Sequence, residues 1–368
     1  MIVMALDHVR DFFGVPGISP TDPARAGAAL FFTRWVTNIC EPVFFLLTGT
    51  GSYLSLRSKS VGALSRFLLS RGLWLILLEL TFVRCFGFQF NVDYRVTMLV
   101  VLWALGWSMI ALSALVHLPI AAIAAFGLAL IAGHNLFDGV RTSNPIWLVL
   151  HGPGVVFNSP PHLVFASYPL IPWIGVTAVG FALGRIYDWP PDRRRLFLLR
   201  TGVALTAGFV LLRFVNVYGD RARWTVQASA SSTVLSFLNA SKYPPSLLFL
   251  LMTLGPALLL LRALDRATPA ALRPALVFGR VPMFYFLLHL PLIHLLAVVA
   301  SLVRYHDASG MFQSPDLAHY PFTPPPGWGF SLPIVYGIWV GVVLALYPVC
   351  RWFAGVKQRR RDPWLSYL

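Results

Sequence analysis

Asp7, His8, Arg10 and Asp11 fall within five consecutive positions, directly after the apolar run Met1 to Leu6. Histidine titrates near neutrality, so His8 is suited to act as a general base or to carry an acyl group, and a nearby carboxylate can fix its tautomer. Neighbouring helix positions point about 100° apart, so Asp7 and His8 are not expected to pair directly. The same residues also suit a plain polar helix end at a membrane interface.

Further polar residues sit where they are costly. Arg34, Asn38 and Glu41 occur at i, i+4 and i+7 of an apolar stretch, a spacing that puts all three on one helix face. Such a face must turn to a bundle interior or a water-filled cavity, either as a site or as a charge network locking helices together. Glu41-Pro42 predicts a kink, and Thr48-Gly49-Thr50-Gly51 predicts close helix approach. Glu79 and Arg84, five apart, are expected to find partners on other helices. His134 and Asp138 are four apart at a helix end, with His151 and His162 in the loop beyond. His289 and His294 stand in one apolar helix; their spacing of five is not the i, i+4 metal pair, and Pro291 is expected to break the helix between them. Tyr168-Pro169 and Lys242-Tyr243-Pro244-Pro245 read as irregular backbone lining a cavity. No phosphate loop, dinucleotide fingerprint or Gly-x-Ser-x-Gly elbow is present.

The elements that must hold these residues follow from composition. Of 368 residues, 57% are hydrophobic and only 12% charged, half the usual share for a soluble domain. Nine stretches are apolar and long enough to be read as membrane spans: 29–54, 67–87, 97–116, 118–134, 168–187, 196–217, 246–263, 274–302 and 331–353. Met1 to Leu6 reads as the last turns of a further helix truncated at its start. The expected fold is an all-α polytopic transmembrane bundle of about ten spans, forming a single domain over 1–368. Cys40, Cys85 and Cys350 lie far apart in apolar runs and give no disulfide or metal spacing.

The net charge of +15 then becomes a sidedness signal. Connections 56–66, 188–195, 262–273 and 354–368 carry 13 Lys and Arg; the alternate connections, much longer in total, carry eight, among them Arg25. The short basic set, which includes Arg361, is expected to be cytoplasmic, with the C-terminus on that side. No basic, aromatic-interleaved soluble module exists, so nucleic acid is not an expected partner. The opposite loops, rich in Pro and Gly, are where work on a substrate is expected.

Met4-Ala5-Leu6-Asp7-His8-Val9-Arg10-Asp11-Phe12-Phe13, Phe32-Thr33-Arg34-Trp35 with Pro42-Val43-Phe44-Phe45, Tyr168-Pro169-Leu170-Ile171-Pro172-Trp173, Lys242-Tyr243-Pro244-Pro245-Ser246 and Phe278-Gly279-Arg280-Val281-Pro282 together resemble a bacterial transmembrane acyltransferase family. That family is related to the heparan-α-glucosaminide N-acetyltransferase catalytic domain, and the resemblance runs along essentially the whole chain. It implies transfer of an acyl group, acetyl first among them, from cytoplasmic acyl-CoA to an extracytoplasmic sugar amine or hydroxyl, in a bacterial inner membrane. His8 is the position that fits the expected base or acyl carrier, assisted by Asp7, with Arg34 and Glu41 orienting the reacting centre. Heparan-type members carry a His-x-x-Trp-x-Gly stretch after the first helix; residues 9–33 contain no histidine, so the role of His8 rests on its position. A CoA nucleotide needs a basic rim, for which Arg66, Arg71, Arg185, Arg193 and Arg194 are candidates, with His289 and His294 along the route of the acyl arm. No metal is expected. The rival reading is a transporter or flippase for a lipid or glycan precursor, using the same buried charges without thioester chemistry.

Overall fold

The structure, a computed structural model, describes residues 1–22, 26–266, 268–360 and 362–367; Arg25 and Arg361 lie outside the described residues. A bilayer offers no water to backbone polar groups, so a chain this apolar satisfies them within helices. Among the described residues, eight helical segments are long and apolar enough to cross a membrane, and Val101–Leu115 is a shorter apolar helix. Together they account for the nine expected stretches.

In chain order the helices are α1 (Ile2–Phe13), α2 (Ala28–Thr37), α3 (Cys40–Leu54), α4 (Val61–Leu78, continuing as a π-helix over Glu79–Phe88), α5 (Val101–Leu115), α6 (Ile120–Gly133), α7 (Pro145–Leu150), α8 (Leu170–Leu183), α9 (Pro191–Val215), α10 (Ala230–Leu238), α11 (Leu247–Leu264), α12 (Leu276–Arg280), α13 (Pro282–Tyr305) and α14 (Leu332–Arg359). The long loops meet on one face: Asn91 bonds to Phe312, Asn239 to Thr21, and Phe330 to Phe13. On this loop-rich face lies a small sheet in the order β1 (Val96–Leu99), β3 (His162–Ala166), β2 (Gly154–Ser159), with β1 parallel and β2 antiparallel to β3.

Burial separates core helices from peripheral ones. The window of the Leu170–Asp188 segment is 61% buried, that of Pro191–Val215 22% and that of Leu332–Arg359 17%. Leu211, Phe214 and Val215 on α9 are exposed apolar side chains, a surface stable only against lipid. The helix α8 is central because glycine lets α3 approach it. A Cβ on Gly49 would lie 2.1 Å from the Thr177 carbonyl oxygen, and one on Gly180 would lie 2.2 Å from that of Leu46. Thr50 Oγ1 donates to the Gly180 carbonyl at 3.0 Å in the same crossing. The two helices run parallel, with Phe45 stacked on Trp173 and Tyr53 reaching Asp188. This register brings Glu41, at the start of α3, to Tyr168, just before α8.

Two local expectations change and one is met. Helix α13 is continuous through Pro291; the missing donor frees one carbonyl but does not break the helix. The break lies instead at Val281, in front of Pro282, which begins α13 where its absent N–H costs nothing. Arg84 does not reach another helix. It donates to Asn91, pairs with Asp93 at 3.2 Å and stacks on Tyr94, all in the loop that follows it. Glu79 does reach another helix, accepting the Leu102 backbone N–H at 2.9 Å at the start of α5.

Candidate functional site

The chain turns at Asn38 and Ile39, between α2 and α3, three residues before Pro42. Both residues keep helical backbone angles, so α2 and α3 form one helical run, and Arg34 and Glu41 both line one cavity of about 440 Å³ beneath the loop-rich face. Helix α1 is held upright beside it. Trp339 donates to the Ile2 carbonyl at its N-terminal end, and Trp328 and the Phe330 backbone donate to the Phe12 and Phe13 carbonyls at its C-terminal end.

Asp7 is buried and saturated. Its carboxylate accepts from Arg10 at 2.8 Å, from Thr37 Oγ1 at 3.0 Å and, in a short contact, from Arg34; Arg10 also binds Asp11 at 2.7 Å. Asp7 therefore anchors arginines and makes no hydrogen bond to His8. The imidazole of His8 lines the cavity, with its Nδ1 buried and unpartnered. It packs against Phe88 and against His289, whose ring centroid is 5.2 Å away.

His289 has a fixed tautomer. Its Nδ1 lies 2.7 Å from the Phe286 carbonyl and 3.1 Å from that of Tyr285, and carbonyls only accept, so Nδ1 carries the proton. Nε2 is left as an acceptor without a partner. His294 is held differently: Nε2 bonds to the Met311 carbonyl at 2.8 Å, and the ring stacks on Phe90 at 3.9 Å among Phe12 and Phe322. It does not line the cavity.

The residue missed by sequence reasoning is Lys242. Its ammonium donates to Glu41 Oε1 at 2.6 Å, both groups being buried, and Tyr168 donates to the same oxygen at 3.3 Å. Burial and the neighbouring Arg34 charge oppose the Lys242 ammonium, Glu41 favours it, and the net shift is upward. Glu41 Oε2 remains buried without a partner. The signal was present: Lys242 is a lone cation in a Tyr-Pro-Pro break at membrane depth. The expected cavity-lining role of the two proline-rich breaks is met by Tyr168 and Tyr243, which both line it, as do Phe88, Phe165 and Tyr320. Burial pushes the Tyr320 phenol well above its ordinary range, so it is a neutral hydroxyl. Met4, Val100, Val101 and Phe286 add an apolar wall.

The basic candidates do not converge on one ring. Arg66 is exposed on α4, and Arg71 one turn on is buried between Phe67 and Tyr367, with Nε and Nη2 unpartnered. Arg185 and Arg193 are exposed, Arg193 over Trp189, while Arg194 is engaged by Asp265 at 3.0 Å through both Nε and Nη2. Two other depressions on that face hold Arg273 with Arg280, and Arg351 with Arg359.

A model of the family described as heparan-alpha-glucosaminide N-acetyltransferase, catalytic, matches residues 1–219. No curated protein and no solved structure matches the chain.

Proposed function

We propose that this chain, which belongs to the family of the heparan-alpha-glucosaminide N-acetyltransferase catalytic domain, transfers an acyl group from acyl-CoA to a sugar amine or hydroxyl at the cavity around His8. The observation carrying the reading is a histidine lining a charged and aromatic cavity in a multi-pass helical bundle. Acetyl-CoA is the expected donor and an extracytoplasmic glycan or related molecule the acceptor, the short basic connections being cytoplasmic by the positive-inside rule. The host membrane would be a bacterial inner membrane, with the C-terminus on its cytoplasmic side.

His8 removes the proton from the acceptor amine or hydroxyl as that atom attacks the thioester carbonyl. The tetrahedral intermediate collapses, the C–S bond breaks, and the proton returns from His8 to the leaving thiolate. His289 packs against His8, and its unpartnered Nε2 is free to accept from the His8 ring once the two rings close on a bound substrate. The unpartnered Glu41 Oε2 accepts from an acceptor hydroxyl, and Lys242 holds the other carboxylate oxygen. Tyr168, Tyr243 and Tyr320 offer flat faces and hydroxyls of the kind that bind sugar rings. The apolar wall of Met4, Val100, Val101 and Phe286 suits the acyl-pantetheine arm. Its nucleotide phosphates fall to the arginines of the opposite face, with Arg273 and Arg280 joining Arg66, Arg71, Arg185 and Arg193.

Purified protein in nanodiscs, given acetyl-CoA and a glucosamine-containing acceptor, is expected to release free CoA thiol and acetylated product in equal amounts. Absence of thiol release over a panel of amine and hydroxyl acceptors, with protein that is folded and monodisperse, overturns the reading and leaves transport of a glycan or lipid precursor to be measured in proteoliposomes.

A further inference from the structure

Away from the cavity, the turn after α6 holds a second group of polar side chains. His134, at the end of α6, is 1% exposed, and neither ring nitrogen makes a well-formed hydrogen bond, the Pro245 backbone being its nearby polar contact. Asp138, one turn on, keeps Oδ1 buried and unpartnered, while Oδ2 accepts from Asn135 Nδ2 at 2.9 Å. His151, at the end of α7, is 3% exposed, and its Nε2 lies 3.8 Å from Asp138 Oδ1. One ligand atom from each of the three falls within 4.8 Å of the other two. A buried imidazole without a well-formed hydrogen bond, close to an unpartnered buried carboxylate oxygen, costs stability as it stands.

We propose that His134, Asp138 and His151 bind a divalent transition ion of the zinc class. Two imidazoles and one carboxylate suit zinc, whereas magnesium and calcium prefer all-oxygen shells. Ligands at about 2.0–2.1 Å from a tetrahedral zinc stand roughly 3.4 Å apart, so small side-chain rotations close the set. His151 Nε2 also lies 2.7 Å from the His134 carbonyl oxygen, an interaction that ligation through Nε2 replaces by moving the proton to Nδ1. Asn135 is the orienting partner. It holds Asp138 with its amide nitrogen and accepts the Leu247 backbone N–H at 2.9 Å with its oxygen.

The position tells what the ion does. None of the three ligands lines the acyl-transfer cavity, but Pro153, two residues after His151, does, and Leu247 stands four residues after the cavity residue Tyr243. The ion therefore clamps two rims of the cavity and takes no part in chemistry.

The test uses the full chain purified without a polyhistidine tag, stripped with a chelator, incubated with zinc chloride and desalted. Elemental analysis is expected to give about one zinc per chain, a raised melting temperature, and loss of zinc to below about a tenth of a chain equivalent in His134→Gln, Asp138→Asn and His151→Ala. His162→Ala, on the neighbouring strand, is expected to keep its zinc. Wild-type protein that retains no zinc and shows no melting shift overturns the proposal, as do variants that retain as much as the wild type. Should a variant fail to fold, the chelator and zinc arms on the wild-type chain still decide it. Retention does not depend on turnover, so the outcome is separable from the acyltransferase reading.

Discussion

Two regions bury arginine and carboxylate together, and they differ in what is left over. Arg213, near the end of α9, is 1% exposed and gives every nitrogen away: to the carbonyls of Phe237, Ala222, Ser236 and Asn239, with Asp220 at 3.4 Å. It is a post around which the segment 216–241 is wound. Around Asp7, Arg34, Glu41 and Lys242 the pairing is as close, yet His8 Nδ1, Arg10 Nε and Glu41 Oε2 stay unpartnered beside a cavity. Buried charge alone does not mark a site. Unused hydrogen-bonding capacity facing a cavity does, because such groups are costly unless a substrate satisfies them.

Substitutions can break this contrast. The largest effect is expected from His8→Ala, which should lower acyl transfer about 10²–10⁴-fold with an unchanged melting curve; turnover kept at the wild-type rate would remove the distinction. Arg213→Met should do the reverse, lowering stability by about 3–5 kcal/mol while the folded fraction keeps its kcat/KM, read by thermal unfolding beside initial rates. Lys242→Met leaves buried Glu41 without its cation, with Tyr168 still donating to it, and should destabilise by a similar or smaller amount. Adding Glu41→Gln should restore much of that stability and none of the activity, a double-mutant cycle that separates pairing from function. The smallest effect is expected for Tyr168→Phe, which removes one hydrogen bond to Glu41 worth about 0.5–1.5 kcal/mol, and should appear as a few-fold rise in acceptor KM.

How much was readable from the sequence depends on the range of each interaction. Arg34 and Glu41 announced themselves, since a shared helical face of charge cannot meet lipid. Their helical run loosens at Asn38 and Ile39, ahead of Pro42, but the backbone there stays right-handed helical, and both side chains line one cavity. His8 and His289 were each visible as polar residues in apolar runs, but their contact joins α1 to α13 across 281 positions of sequence. Arg84 was misassigned because a π-helix and the loop behind it bring its partners from seven to twelve residues downstream.

The sequence by itself determined the membrane-spanning segments, the side carrying the basic connections and the positions where polar groups interrupt apolar ones, because these depend on local composition and on the thickness of a bilayer. Only the tertiary structure decided which polar groups are satisfied and which are left over. Lys242 finds Glu41 because Gly49 and Gly180 let α3 slide against α8 until Glu41 reaches Tyr168, and His134 finds His151 because the loop through α7 folds back. Such pairings are set by the closest approach of packed helices, a property of the whole bundle and of no single stretch of chain.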